Sequence, residues 1–221
     1  MEHLQAAIEL AHLGLCVFPL KARDKRAHER WKRFQTEHPT TSEIEKWWSG
    51  DGADRNIAVA TGPVSGVIVI DVDGDIGAES LAKLTRVHGG LPTTWRSSTG
   101  RGEHIWFRAP TSVTLGNTAG RIGPGIDTRG AGGYVVAPPS IHPSGSLYDW
   151  QTDSHPAFVQ LAELPQWLFD ILAPAPVLAP EPEPEPLPPD PDRVKAHLKY
   201  CRTALDNQRD ELAALASEYL R

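Results

Sequence analysis

Gly66-Val67-Ile68-Val69-Ile70 is a continuous apolar, β-branched run, and it leads straight into Asp71-Val72-Asp73-Gly74-Asp75. Such a run suits a pleated, buried surface and reads as an interior strand. Side chains alternate across a strand, so Asp71 and Asp73 belong to one face. Two carboxylates side by side at the end of a buried strand repel each other and are costly to desolvate, and a cation between them relieves both penalties. Oxygen ligands select a hard divalent ion, Mg or Mn. A solvated turn that merely ends the strand is the alternative, and this segment alone does not decide between them.

The rest of the chain has to enclose that strand. Its 221 residues suffice for one large domain or a domain plus an appendage. Acidic residues outnumber basic ones, 28 to 22, so bulk charge gives no sign of a nucleic-acid partner and local charge must carry that argument. Cys16 and Cys201 lie far apart and form no metal-ligand spacing, so a reduced, cytoplasmic protein is expected. Gln5, Glu9, His12 and Pro19 interrupt residues 4–20, which excludes a secretory signal or a membrane span there.

Residues 1–172 are expected to form one α+β unit. His3 to Leu13 has helical apolar spacing with Gly14 as a stop, and Leu15 to Leu20 reads as a short strand. Thr41-Ser42 followed by Glu45 predicts a capped helix through Trp48. Strands are predicted over Asn56 to Ala60 and Val67 to Val72, and a helix over Ala78 to His88 closed by Gly89-Gly90 and Pro92. Thr93 to Ser98, His104 to Arg108 and Tyr134 to Ala137 read as further strands, and Leu161 to Leu172 as a closing helix. Alternating strands and helices followed mostly by strands predict a mixed sheet with helices packed on it. Residues 173–191 contain Pro-Glu-Pro-Glu-Pro-Glu-Pro, which fits an extended spacer because proline fixes φ and lacks a donor. Residues 192–221 have a helical pattern, and one helix alone has little to bury its apolar face against. That tail docks back, pairs with another chain, or opens a further domain.

Two more stretches carry chemistry. In Ser97-Ser98-Thr99-Gly100-Arg101-Gly102-Glu103-His104, glycines and small hydroxyl residues let backbone amides approach an anion, Arg101 adds charge, and His104 opens the next strand ready to donate to a phosphate oxygen. A plain surface hairpin is the alternative. In the glycine-dense turn from Gly123 to Gly133, Asp127 is a candidate third metal ligand and Arg129 a candidate phosphate clamp, since a guanidinium fork matches phosphate geometry. Here the alternative is an Asp-Arg ion pair that fixes a loop. Three carboxylates, a histidine and two arginines match what nucleotidyl transfer with two metal ions about 4 Å apart requires.

At this point the sequence resembles the bifunctional DNA primase/polymerase (prim-pol) domain of the archaeo-eukaryotic primase superfamily. The likeness runs from about Ala6 to Trp150. It includes Ala11-His12-Leu13-Gly14, Val17-Phe18-Pro19-Leu20, Lys25, Trp31, Trp47-Trp48 and Asn56 through Gly62. It continues through Gly66 to Asp73, Ser98 to His104, Ile126 to Gly130, and Ala137-Pro138-Pro139-Ser140. The resemblance implies a primase core related to the RNA-recognition-motif sheet plus an N-terminal α/β unit. It implies that Asp71, Asp73 and Asp127 are the metal-binding acids, that His104 contacts the phosphates of the incoming nucleotide, and that Arg129 stands beside them. The implied reaction is template-directed nucleotide addition with loss of pyrophosphate. The implied partners are a single-stranded DNA template and primer, NTP or dNTP substrates, and a helicase domain or protein. Lys25 is followed by Arg26-Ala27 where such sequences tend to carry a proline. Lys21, Arg23 and Lys25 either contact template phosphates or form a solvated face with Trp31 packed beneath it.

Two rivals remain from the sequence. Asp71-Val72-Asp73-Gly74 also resembles the opening motif of haloacid-dehalogenase-like phosphatases, where the first aspartate is a nucleophile. That motif usually continues with threonine, and here Asp75 follows. The other rival is a non-catalytic nucleic-acid-binding replication module.

Overall fold

The apolar run at Val67–Val72 becomes the centre of the larger of two antiparallel sheets. The computed structural model describes residues 2–174 and 190–219. In chain order the elements are α1 (Glu2–His12), β1 (Cys16–Pro19), α2 (Thr41–Trp47), β2 (Ile57–Ala60), β3 (Val67–Val72), α3 (Gly74–His88), β4 (Arg96–Ser98) and β5 (Glu103–Arg108). They continue with β6 (Thr118–Gly123), β7 (Ile126–Arg129), β8 (Tyr134–Ala137), β9 (Asp149–Trp150), α4 (Gln166–Leu172) and α5 (Pro191–Tyr219). The chain divides into two units, Met1–Pro174 and Ala175–Arg221. The Pro-Glu-Pro repeat lies outside the described residues.

The fold is mixed α+β, but the single mixed sheet predicted from the element order is replaced by two antiparallel ones. A three-stranded sheet has the order β1-β2-β8 and a six-stranded sheet the order β6-β7-β3-β5-β4-β9. The separation arises because β8 returns to pair with β2 rather than joining β3. Alternation then gives β3 and β5 two distinct faces. Ile68, Ile70, Val72, Ile105 and Phe107 point to one core, shared with Leu81 of α3 and Leu168 and Leu172 of α4. Val67, Val69 and Trp106 point to the other, shared with the small sheet and with α1 and α2. The end of this second face carries the charged residues.

Local chemistry sets the boundaries. Gly14 adopts φ +83°, a left-handed conformation that ends α1 at little cost. The cap of α2 is one residue earlier than predicted. Thr40, not Thr41 or Ser42, accepts from the Glu43 amide, and the Glu43 carboxylate accepts from the Thr40 amide, a reciprocal capping box. Helix α3 begins at Gly74, four residues before the predicted Ala78, directly off the end of β3. Helix α4 is shorter than the predicted Leu161 to Leu172, because residues 161–165 run extended and Glu163 bridges to Arg108. The stretch from Gly123 to Gly133, read as a turn, holds β7 and the hairpin that joins it to β6. Pro124-Gly125 forms that turn, and Gly125 at φ +71° suits its left-handed position. Trp31 stacks on Phe18 at 5.6 Å and meets Tyr134 edge-on at 4.8 Å, so it is the packed floor beneath the basic segment. Among the described residues no helix is long and apolar enough to cross a membrane.

Candidate active site

Strand register places the sequence candidates in one line. Asp127 on β7 lies directly opposite Asp71 on β3, and Asp71 lies opposite His104 on β5. Directly opposed residues project from the same face, so three neighbouring strands present Asp127, Asp71 and His104 as a row. Arg129, two residues from Asp127, shares that face. Asp73 sits at the N-cap position of α3 yet makes no capping hydrogen bond, which forgoes a stabilisation of about 1 kcal/mol. Its carboxylate instead reaches Arg101, at 2.9 Å.

Asp71, Asp73 and Asp127 line one cleft of about 230 Å³ together with Lys25, Arg101, Arg129, His104 and Tyr148. A second cavity of about 350 Å³ adjoins it through Lys25, Asp71, His104, Arg129 and Tyr148, and adds Trp31, Tyr134 and the Gly132-Gly133 backbone. A larger cavity of about 540 Å³ lies elsewhere, between α1 and Pro138-Pro139. We assign the chemistry to the smaller pair because acids, arginines and a buried histidine converge only there among these three.

Each of the three aspartates in the cleft has a guanidinium partner. Arg129 donates to Asp127 at 3.0 Å and to Asp71 at 3.4 Å. The Gly120 amide donates to the other Asp127 oxygen at 3.1 Å. The Asp-Arg ion pair that was the alternative for this segment is therefore present. Among the described residues, no group of three or more His, Cys, Asp or Glu side chains is arranged to hold a metal ion as it stands. The donors are nonetheless all carboxylate oxygens, the set that suits a hard divalent cation. The Arg129 guanidinium bridges Asp71 and Asp127, and Arg101 holds Asp73.

His104 is 5% exposed, and two effects compete for its proton. Burial penalises the imidazolium, while Asp71, with Oδ1 3.6 Å from Nε2, favours it. Burial wins, helped by the positive Lys25 and Arg129, and pushes the histidine down to about 4. His104 is thus neutral near pH 7, and its contact with Asp71 is not an ion pair. Its Nδ1 is buried with no hydrogen-bond partner. Tyr148, 2% exposed, has its hydroxyl pushed up to about 12 by burial, with Asp71 and Asp73 adding to the effect.

The remaining candidates separate. Ser98 pairs with Glu103 and Asp149 within the sheet and does not line the cleft. Thr99 and Gly100 line it instead. The Arg101 and Gly102 amides, expected to face an anion, both donate to Thr99 Oγ1, so the turn caps itself. A Cβ at Gly102 would overlap the Val72 carbonyl oxygen, so glycine lets this turn lie directly on the end of β3. Lys25 lines the cleft, whereas Lys21 and Arg23 are exposed in the adjoining turn. Sequence reasoning missed Tyr148 and His142, which come from the segment between β8 and β9. No motif marked them.

Fold and site together define a mixed α+β protein whose central strand ends in an acidic cleft held by arginines. The chain belongs to the Prim-Pol family, bifunctional DNA primase/polymerase, N-terminal, whose profile matches residues 7–167. Membership carries primase/polymerase-type nucleotidyl transfer as the class of activity. No curated protein matches the chain.

Proposed function

We propose that this chain is a metal-dependent primase-polymerase that joins a primer 3′-hydroxyl to the α-phosphate of an NTP or dNTP on a single-stranded DNA template. The α–β phosphoanhydride bond breaks, pyrophosphate leaves, and the hydroxyl proton is lost. The supporting observation is the row Asp127–Asp71–His104 across three adjacent strands of a Prim-Pol domain. Asp71, Asp73 and Asp127 would hold two divalent ions, Mg or Mn, which when bound supply an activated hydroxyl and neutralise charge at phosphorus. Arg129 and Arg101 leave their aspartates and grip the outgoing phosphates, exchanging one set of anions for another. Lys25 lies close enough to join them. His104, neutral and rigidly buried, donates one N–H to a phosphate oxygen. The nucleobase and sugar enter the adjoining cavity beside Tyr134, Trp31 and Tyr148. Lys21 and Arg23, exposed next to the cleft, contact template phosphates. Residues 1–172 act as the catalytic domain, residues 173–191 as a spacer, and a helicase is the natural companion.

The test is nucleotide incorporation on a primed template with Mg or Mn. Asp71→Ala and Asp127→Ala should each abolish extension while retaining the native circular dichroism spectrum. Extension by both variants would reject the site. His104→Ala should chiefly raise KM for dNTP, and an unchanged KM would remove it from phosphate contact. A phosphatase with Asp71 as nucleophile would instead trap a fluoride analogue of aspartyl phosphate.

A further inference from the structure

The acidic cleft has one lining side chain without a role so far, His142. It stands where the chain between β8 and β9 folds back on itself, with Ile141 bridged to Leu147. Pro143 suits the second position of the turn, and the Gly145 amide closes it by donating to the His142 carbonyl at 2.8 Å. Asn56, 1% exposed, fixes the root of this hairpin. Its side chain accepts from the Ile141 amide at 2.9 Å and donates to the Ile141 carbonyl at 2.7 Å. It also donates to the Asp24 carbonyl at 3.0 Å, so the hairpin and the turn that carries Lys25 are tied together.

The turn decides which imidazole nitrogen carries the proton. The Ser144 amide donates to His142 Nδ1 at 3.0 Å. A backbone N–H can only donate, so Nδ1 is the bare nitrogen and Nε2 keeps the hydrogen. Nε2 has no hydrogen-bond partner among the described residues. Carrying a proton, it offers no lone pair to a metal. Burial, then the positive Lys25 and Arg101, hold the proton affinity of the ring below the usual histidine value, which keeps it neutral near pH 7. Gly100 lies against the ring face: a Cβ there would come within 2.6 Å of His142 Cγ.

We propose that His142 is a second phosphate-contacting imidazole, which donates its Nε2–H to the triphosphate of the incoming nucleotide alongside Lys25 and Arg101. The inference rests on the polymerase reading and adds a contact to it. A neutral donor of fixed tautomer, set beside two cations and a glycine turn, suits an anion that presents several oxygens. Because the hairpin is already anchored through Asn56 and Ser144, the donor is held in place before substrate enters.

Two measurements on the full chain with Mg test this: equilibrium binding of dNTP, and steady-state incorporation on a primed template. His142→Phe keeps a ring against Gly100 and removes the donor. It should weaken dNTP binding at least about 10-fold and raise KM for dNTP to match, with kcat and the thermal midpoint little changed. His142→Gln, whose side-chain nitrogen can reach the place of Nε2, should restore most of the affinity. Nitrogen-15 spectra of the unaltered chain should show the His142 proton on Nε2. Unchanged dNTP affinity in His142→Phe, a loss that His142→Gln does not restore, or a proton on Nδ1 overturns the assignment. An unaltered chain that binds dNTP without incorporating it would sink the polymerase reading and leave the binding comparison to decide His142. One that binds no dNTP overturns both.

Discussion

All four residues of β2, at the middle of the small sheet, are buried, whereas burial along β3, at the middle of the large one, breaks at Asp71. Both strands are short, apolar and flanked by antiparallel neighbours. The small sheet packs Phe18 against Phe34 at 5.4 Å and against Trp31, with every residue of β1 and β2 enclosed. The large sheet spends the end of its central strand on groups that cost free energy to bring together. Asp71 and Asp127 are neighbours held by one arginine, and Asp73 declines a helix cap. The most enclosed strands and the residues proposed for chemistry therefore lie in different sheets, and substitutions should separate them.

The sharpest way to break that division is Phe18→Ala. It removes the stacked centre of the small sheet and should cost about 4 kcal/mol in urea unfolding. A midpoint shift near zero would mean the small sheet is not the stabilising half. Asp71→Asn tests the other half: incorporation should fall by about 10²–10³-fold, with a thermal midpoint equal to or above that of the unaltered chain. A matched loss of stability would show that Asp71 also holds the fold together.

His104 lies where the two halves meet, and its burial predicts a pH effect. Its folded value lies below the ordinary 6.5, near 4, so between these the unfolded chain binds a proton that the folded chain refuses. Stability is then full above about pH 6.5 and falls by up to about 3 kcal/mol as pH drops toward 4. His104→Gln should flatten that slope in unfolding curves taken across the range, and an undiminished slope would assign it to other groups. The smallest effect is expected at the edge of the small-sheet half. Thr40→Ala should cost about 1 kcal/mol through the lost capping box and leave incorporation untouched.

What was legible in the sequence follows the same division. Val67–Val72 and Tyr134–Ala137 coincide with their predicted spans because β-branched residues bounded by glycine specify a strand locally. The strand at Ile126–Arg129 was not legible. The glycines on either side of it resemble a turn, and only pairing with β3 and β6 makes it extended. Asp71, Asp73, His104, Asp127 and Arg129 were each visible as residue types in suggestive settings. Their alignment was not visible, because register depends on contacts between residues far apart in the chain. The same dependence makes Thr99, and not its neighbour Ser98, the residue the hairpin turns toward the cleft. For Lys25 the sequence left template contact and a solvated face both open, and packing of Trp31 and Tyr134 brings its segment to the rim of the cleft.

The pairing of arginines with aspartates in the cleft bears on how fast a substrate arrives. Asp71, Asp73 and Asp127 are balanced by Lys25, Arg101 and Arg129, and the imidazole is uncharged, so these lining groups sum to near electroneutrality. Such an opening casts little long-range attraction on a passing triphosphate. Capture then depends on random collision followed by internal exchange of counter-charges, and its rate should change little with ionic strength.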